Sequence, residues 1–366
     1  MLTYATRSAL LLRPLIQSTR ATARALSATP YLDRTKQGPV WPTLTKKPDE
    51  KTLEKDGKGV CAWLGSASSK PADLDAQLAA RVYDLYLPVY YWCKDVVEKN
   101  PTKPTVIFMS APQGCGKTTI CDALVERFAA DGKQCAALSY DDFYLTHAEQ
   151  NEVAKTHENN RLLELRGNGG THDLQLFDDV LTRVKIKISR IHPTHWLIST
   201  QVLTALKSTG KAKAPRYDKT AFSGFGDRAG LVDVEGADVV LVEGWMAGFK
   251  PVGAAAATAV DADLGAVDAC LGAYARWDAH ADAWLVVAIE SPSDTVYGWR
   301  REAERRAGGG LSDEQVRDFV GRFLPSYEAY CPALYEAASG GGVDAKPTLR
   351  LDVDTTRSPV GAVRGG

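Results

Sequence analysis

Phosphate-binding chemistry is written most clearly in Ala111-Pro112-Gln113-Gly114-Cys115-Gly116-Lys117-Thr118-Thr119. Gly114 and Gly116 let backbone N–H groups turn inward without Cβ clashes, and the helix N-terminus that follows adds positive potential. At this spacing Lys117 reaches β- and γ-phosphates, and the Thr118 hydroxyl is offered to Mg²⁺. Ala111 stands where the pattern has its first glycine, a departure that a small residue tolerates. Cys115 lies inside the loop, where a helix N-terminus lowers a thiol's pKa, so it is expected to be the most oxidisable cysteine. These residues predict a site for a nucleoside triphosphate.

Further along, Tyr140-Asp141-Asp142-Phe143-Tyr144 puts two carboxylates just after a short apolar run. One of them can accept the proton of an attacking hydroxyl or hold Mg²⁺ through water, although a helix cap or turn would use the same residues. Arg166, His172 and Asp173 fall in a glycine-rich loop. Arg216, Tyr217 and Lys219 share a second polar loop, and Arg228 lies in a third. Three arginines and a lysine suit a small anionic acceptor, because guanidinium binds carboxylate bidentately. Glu243 ends an apolar run beside the phosphate loop, where Mg²⁺ or its water shell needs an acid. Arg300, Arg301, Arg305 and Arg306 precede three glycines, as in a lid that closes over phosphates.

The elements that must position these groups follow from the apolar runs. Thr105–Met109, Ala136–Ser139, Ala237–Gly244, Trp284–Ile289 and Thr348–Val353 read as buried strands, and Ile120, Leu124 and Phe128 mark one helix face. Strands alternating with helices predict a three-layer α/β fold with a parallel five-stranded sheet and a lid. Acids at the carboxyl ends of its strands lie where such sheets gather ligands. The glycine-rich C-terminus is expected to fray.

Bulk properties narrow the class. A net charge of −1 argues against a general nucleic-acid binder, and 45% hydrophobic residues are ample for a core. Seven scattered cysteines without a Cys-x-x-Cys spacing fit buried thiols in a reducing compartment. No segment is long and apolar enough to span a bilayer, and a monomer acting on a small molecule is expected. Residues 1–32 contain no Asp or Glu but several arginines among Ala, Ser, Thr and Leu, the composition of an organelle transit peptide. Composition alone does not separate plastid from mitochondrion. Residues 33–70 read as linker, 71–100 as a helical segment packed on the main domain, and 101–356 as that domain.

Taken together, the motifs resemble the D-glycerate 3-kinase family of plants and algae. The matching residues are Ser110 to Thr119, Asp141 to Thr146, Arg166-Gly167-Asn168 with His172-Asp173, Pro215 to Lys219 and Gly226-Asp227-Arg228. Glu243-Gly244-Trp245-Met246 with Gly248 to Pro251, and Trp299-Arg300, complete the set. The resemblance covers about Tyr83 to Leu351, and the family is similar to the P-loop kinases of uridine, ribulose phosphate and pantothenate. It implies ATP and Mg²⁺ as cofactors, D-glycerate as acceptor at its C3 hydroxyl, and a chloroplast location in photorespiration. Asp141 is then the base, with Lys117 and a lid arginine, Arg300 by preference, on the transferring group, and Thr118 and Glu243 on the metal. Arg166, Arg216, Lys219 and Arg228 remain unranked for the substrate carboxylate, with His172 and Tyr217 beside them. Alternatives are a P-loop kinase of another small acceptor, of the uridine or pantothenate type, and a non-catalytic nucleotide-binding regulator. Members of the family join the His-Asp loop to the Pro-Arg-Tyr-Asp loop through one short helix. Residues 182–201 therefore read as an insertion, and His192 and His195 within it are not expected to be metal ligands.

Overall fold

The computed structural model describes residues 29–64, 81–185, 211–306 and 312–366. Eight strands are described: β1 (Thr105–Ser110), β2 (Cys135–Ser139), β3 (Lys211–Asp218), β4 (Asp227–Glu235), β5 (Val239–Gly244), β6 (Ala283–Ala288), β7 (Thr348–Val353) and β8 (Pro359–Gly365). Six form one sheet in the order β2-β5-β1-β6-β7-β8. The first five in that order are mutually parallel, as expected, and β8 pairs antiparallel with β7 from Thr348↔Gly365 to Val353↔Pro359. Every residue of β1, β5 and β6 is buried, which is why these strands read as unbroken apolar runs rather than alternations. The register sets Ser139 of β2 and Met109 of β1 on either side of Glu243, so three strand ends converge there.

The helices are α1 (Thr29–Gln37), α2 (Glu50–Trp63), α3 (Leu87–Lys99), α4 (Lys117–Ala130), α5 (His147–Thr156) and α6 (Leu174–Lys185). After the hairpin come α7 (Ala254–Val260), α8 (Leu264–Leu271), the single turn α9 (Ala275–Asp278), α10 (Pro292–Arg306), α11 (Asp313–Gly321) and α12 (Leu324–Ser339). Left-handed Gly116, at φ 97°, caps α4 and turns β1's loop directly into the helix. Thr146 and Glu149 close a capping box at the start of α5, fixing the exit from the Asp141 segment.

Three expectations from the sequence are corrected. The supposed linker holds α2, with Leu53, Val60 and Cys61 buried and Asp56 paired with Arg127 of α4 at 2.8 Å. Its apolar stripe is narrow and set among lysines, so composition hid it. Ahead of it, Tyr31 of α1 is buried with its ring 5.3 Å from Tyr83, and residues 1–28 lie outside the described residues. Finally, the C-terminus is a strand, not a frayed end, and the polar Pro-Arg-Tyr-Asp and Gly-Asp-Arg loops are the inner ends of the β3–β4 hairpin. In that hairpin the inward positions are small, Ala212 and Ala214, so the alternation carries little hydrophobic signal. Of the proposed insertion, 182–185 complete α6 with Val184 buried, and 186–201 lie outside the described residues.

Candidate active site

The phosphate loop is held from three sides. Tyr327 of α12 accepts the Gln113 N–H at 2.9 Å. The Trp299 side chain of α10 packs so close to Gly114, itself at φ 83°, that a Cβ there would collide with it. Arg357, in the β7–β8 turn, donates to the Gly114 carbonyl at 2.7 Å, stacks on Trp299 at 4.9 Å and pairs with Glu302 at 2.7 Å. Lys117 folds back over the loop, donating to the Ala111 and Pro112 carbonyls at 3.1 and 3.2 Å. Those carbonyls store the lysine where an incoming phosphate can take it over. Thr118 and Thr119 open α4 immediately behind.

Cys115 does not match its expected reactivity. The side chain is buried, and burial pushes its thiol up despite the opposing charge of Lys117. Arg300 also departs from expectation. Its guanidinium lies over Phe319 at 4.6 Å and pairs with Glu304, so it is not brought to the loop. A role on the transferring phosphoryl requires it to leave both partners. Arg357 is the guanidinium at the loop instead, and nothing in the glycine-rich C-terminus signalled it.

Beside the loop, Asp141 and Asp142 sit on a single 3₁₀ turn after β2 yet face different partners. Asp141 accepts from Lys219 at 2.5 Å and from the Tyr144 hydroxyl at 3.0 Å. Burial works to raise its carboxyl, but Lys219, Lys117 and Tyr144 together hold it well below the usual carboxylate range. Asp142 accepts from Arg216 at 2.5 Å and from the Tyr217 N–H at 3.2 Å, pinning β3 to the sheet. Burial raises the Asp142 carboxyl against the pull of Arg216. Glu243 is buried and raised by desolvation, partly offset by Lys117. A buried acid in that condition suits a nearby cation. Among the described residues no cluster of three or more metal-ligating side chains exists. A divalent ion here would therefore rest on Thr118, Glu243 and nucleotide phosphates, which is how a kinase's Mg²⁺ is held.

The remaining candidates divide into scaffolding and chemistry. Arg166 donates to the carbonyls of Gly224, Phe225 and Lys219 and lies over the Tyr217 ring at 5.4 Å, so it supports the hairpin tip. Arg228 pairs with Asp173 at 2.8 Å and donates to the Tyr144 carbonyl at 3.3 Å. Asn168, next to Arg166, donates to the Leu162 and Arg322 carbonyls and accepts from Ser326, while Trp245 donates to the Gly167 carbonyl. In this structure these residues hold the loop.

His172 is buried, with its ring stacked on Tyr144 at 4.5 Å. The Tyr274 hydroxyl oxygen accepts the Gly170 N–H at 3.0 Å. The same hydroxyl lies 2.7 Å from His172 Nδ1, the ring nitrogen across from Nε2. That Nε2 finds no hydrogen-bond partner among the described residues. Burial drives the imidazole pKa down to about 3, so it is neutral.

No family model matches the chain. It is 44% identical over 299 residues to the chloroplastic D-glycerate 3-kinase of Arabidopsis thaliana, an alignment spanning 77% of this chain and 61% of that protein. It is 33% identical to a Saccharomyces cerevisiae protein described as the probable ATP-dependent kinase TDA10, covering 75% of this chain and 91% of that one. Among solved structures, the D-glycerate 3-kinase of Cryptococcus neoformans superposes with a TM-score of 0.63 at 26% identity, over 76% of this chain and 99% of that one. On these likenesses the chain belongs to the kinase family that includes these D-glycerate 3-kinases.

Proposed function

We propose that the protein transfers the γ-phosphoryl group of ATP to the C3 hydroxyl of D-glycerate, giving 3-phosphoglycerate and ADP. The observation that carries this reading is the position of Asp141. It lies at the carboxyl end of β2, within the field of Lys117 on the phosphate side and bonded to Lys219 on the acceptor side. A hydroxyl placed against Asp141 therefore meets a base, a phosphate-binding lysine and a cation for its own carboxylate.

Bound Mg²⁺ would neutralise charge on the phosphates, with Thr118 and Glu243 as its protein partners. Asp141 accepts the C3 hydroxyl proton as that oxygen bonds to the γ-phosphorus. The bond from phosphorus to the β–γ bridging oxygen breaks, and its electron pair leaves with ADP. Lys117 moves from the Ala111 and Pro112 carbonyls to the phosphates, where its charge stabilises the transferring group. The deciding experiment is a panel of acceptors assayed with Mg·ATP: D-glycerate, L-glycerate, uridine and pantothenate. The phosphorylated carbon is then located by NMR. D-glycerate should dominate with phosphate on C3, and acceptor-independent hydrolysis alone would sink the reading.

The same reading places the protein in a plastid, supported by the composition of the N-terminal segment and the chloroplastic Arabidopsis relative. No described helix is long and apolar enough to cross a membrane. A fluorescent protein fused behind residues 1–32 should enter plastids. Import into mitochondria instead would remove the photorespiratory role.

A further inference from the structure

We propose that Lys219 is the specificity switch of this site: it rests on the base Asp141 until the acceptor's own carboxylate draws it away. This inference rests on the glycerate kinase reading above and ranks cations that sequence left equal. Arg166 is committed to three main-chain carbonyls, Arg216 to Asp142, and Arg228 to Asp173 and a main-chain carbonyl. Moving any of them dismantles the hairpin or the loop beneath it. Lys219 differs because its ion-pair partner is the reacting carboxylate itself, at 2.5 Å. Its side chain is 57% exposed against 29% for Asp141, and it sits at the end of β3 where the hairpin turns. An exposed lysine on a flexible four-carbon stem can change partners at little cost.

The occupied base is the point of the device. With Lys219 on Oδ2 and Tyr144 on Oδ1, each oxygen of Asp141 already has a donor. A carboxylate paired with an ammonium is a weaker base, and the ammonium stands in the way of an incoming hydroxyl. A three-carbon hydroxy acid carries its carboxylate within about 5 Å of its terminal hydroxyl, well inside the arc of one lysine side chain. Binding then exchanges one ion pair for another. Lys219 stays protonated, its charge passes from Asp141 to the substrate carboxylate, and an Asp141 oxygen is uncovered facing the hydroxyl. Tyr144 remains bonded and keeps the freed carboxylate oriented. A neutral polyol of the same size brings no charge to exchange, so it leaves the base covered. Discrimination arises from activation as well as from binding.

The test uses the full chain and compares D-glycerate with glycerol, and formate with ethylene glycol, which together supply the carboxylate and the hydroxyl as separate molecules. In the wild type, formate should raise kcat/KM for ethylene glycol by about tenfold or more, and D-glycerate should be strongly preferred over glycerol. In Lys219→Met, kcat/KM for D-glycerate should fall by about 100-fold or more. Glycerol turnover should rise severalfold, formate stimulation should vanish, and ADP affinity measured by calorimetry should hold. A role for Lys219 in folding alone would lower both acceptors together and could not produce formate stimulation. The proposal is overturned if Lys219→Met keeps the D-glycerate preference within about threefold of wild type. It is equally overturned if formate leaves wild-type ethylene glycol turnover unchanged, a result that needs no variant to fold. A wild type inactive on D-glycerate marks a different failure, that of the functional reading itself.

Discussion

The nucleotide side and the acceptor side of this cleft are built by opposite means. On the nucleotide side one contiguous stretch, Ala111 to Thr119, supplies backbone N–H groups, a lysine and a hydroxyl, and Lys117 waits on the loop's own carbonyls. On the acceptor side the working contacts are ion pairs between segments distant in sequence. Arg216 to Asp142, Lys219 to Asp141 and Arg228 to Asp173 are separated by 74, 78 and 55 residues. A site made of main chain recognises what every nucleoside triphosphate shares. A site made of paired side chains can be retuned one pair at a time, and that is where choice of acceptor resides.

The sharpest break of this contrast is Asp141→Asn. It removes the base while leaving the loop intact, so kcat should fall by about 10²–10⁴ with nucleotide affinity nearly unchanged. Single-turnover measurement with D-glycerate and ADP calorimetry read the two sides separately. A comparable loss of nucleotide binding would mean that the two halves are not independent.

Next in size is the latch that pins β3. Arg216→Met leaves Asp142 buried with the Tyr217 N–H still donating to it. The acceptor KM should rise about 10- to 100-fold, with KM for ATP within about twofold. The pair is partly exposed, at 29% and 11%, so the stability cost should be about 1–2 kcal/mol rather than that of a fully buried pair. Asp142→Asn should act in the same direction and cost less catalysis than Asp141→Asn. If it proves the more damaging in single turnover, the roles of the two acids are reversed.

That contrast also decides what could be read from sequence. The phosphate loop was legible because its function and its spacing are the same thing. The five parallel strands were legible because burial on both faces leaves continuous apolar runs. The cations of the acceptor side were visible as residues, but sequence does not encode which acid each one meets. Lys219 and Arg166 look alike on paper and differ only in whether they face a reacting carboxylate or a main-chain carbonyl. Arg357 was beyond reach, since its partner Gly114 lies 243 residues away and β8 is a strand of small residues. In α2 the stripe of Leu53, Val60 and Cys61 is interrupted by Gly57, which leaves room for the Tyr83 hydroxyl. A glycine among lysines resembles linker until its neighbour is known.

A smaller effect should separate fold from chemistry at His172. Its folded pKa is about 3, below the ordinary value near 6.5 that it regains on unfolding. Between those values the unfolded chain binds more protons, so this group's contribution is intact above about pH 6.5 and is lost as pH falls toward 3. The limiting slope is about 1.4 kcal/mol per pH unit. Melting temperatures from pH 7 to pH 4.5 should therefore fall more steeply for wild type than for His172→Asn, whatever the offset between them at pH 7. Parallel curves would mean that the imidazole is already accessible to protons in the folded protein.

The smallest effect is expected where sequence promised a large one. Cys115 occupies the turn before α4, and a helix N-terminus lowers the pKa of a thiol exposed to it. In the folded loop, however, the side chain is buried beneath the phosphate site. Burial outweighs Lys117 and the main-chain N–H of that residue, so the thiol is pushed up and stays protonated at neutral pH. Peroxide attacks the thiolate and needs access, and Cys115 offers neither. Mild peroxide at pH 7.5 should inactivate wild type and Cys115→Ala at rates within about twofold of each other, and ATP should give no protection specific to this residue. Inactivation that ATP blocks and Cys115→Ala abolishes would show that the loop opens in solution far enough to expose the thiol. The nucleotide side would then be as mobile as the acceptor side, and the contrast between them would fail at its firmest point.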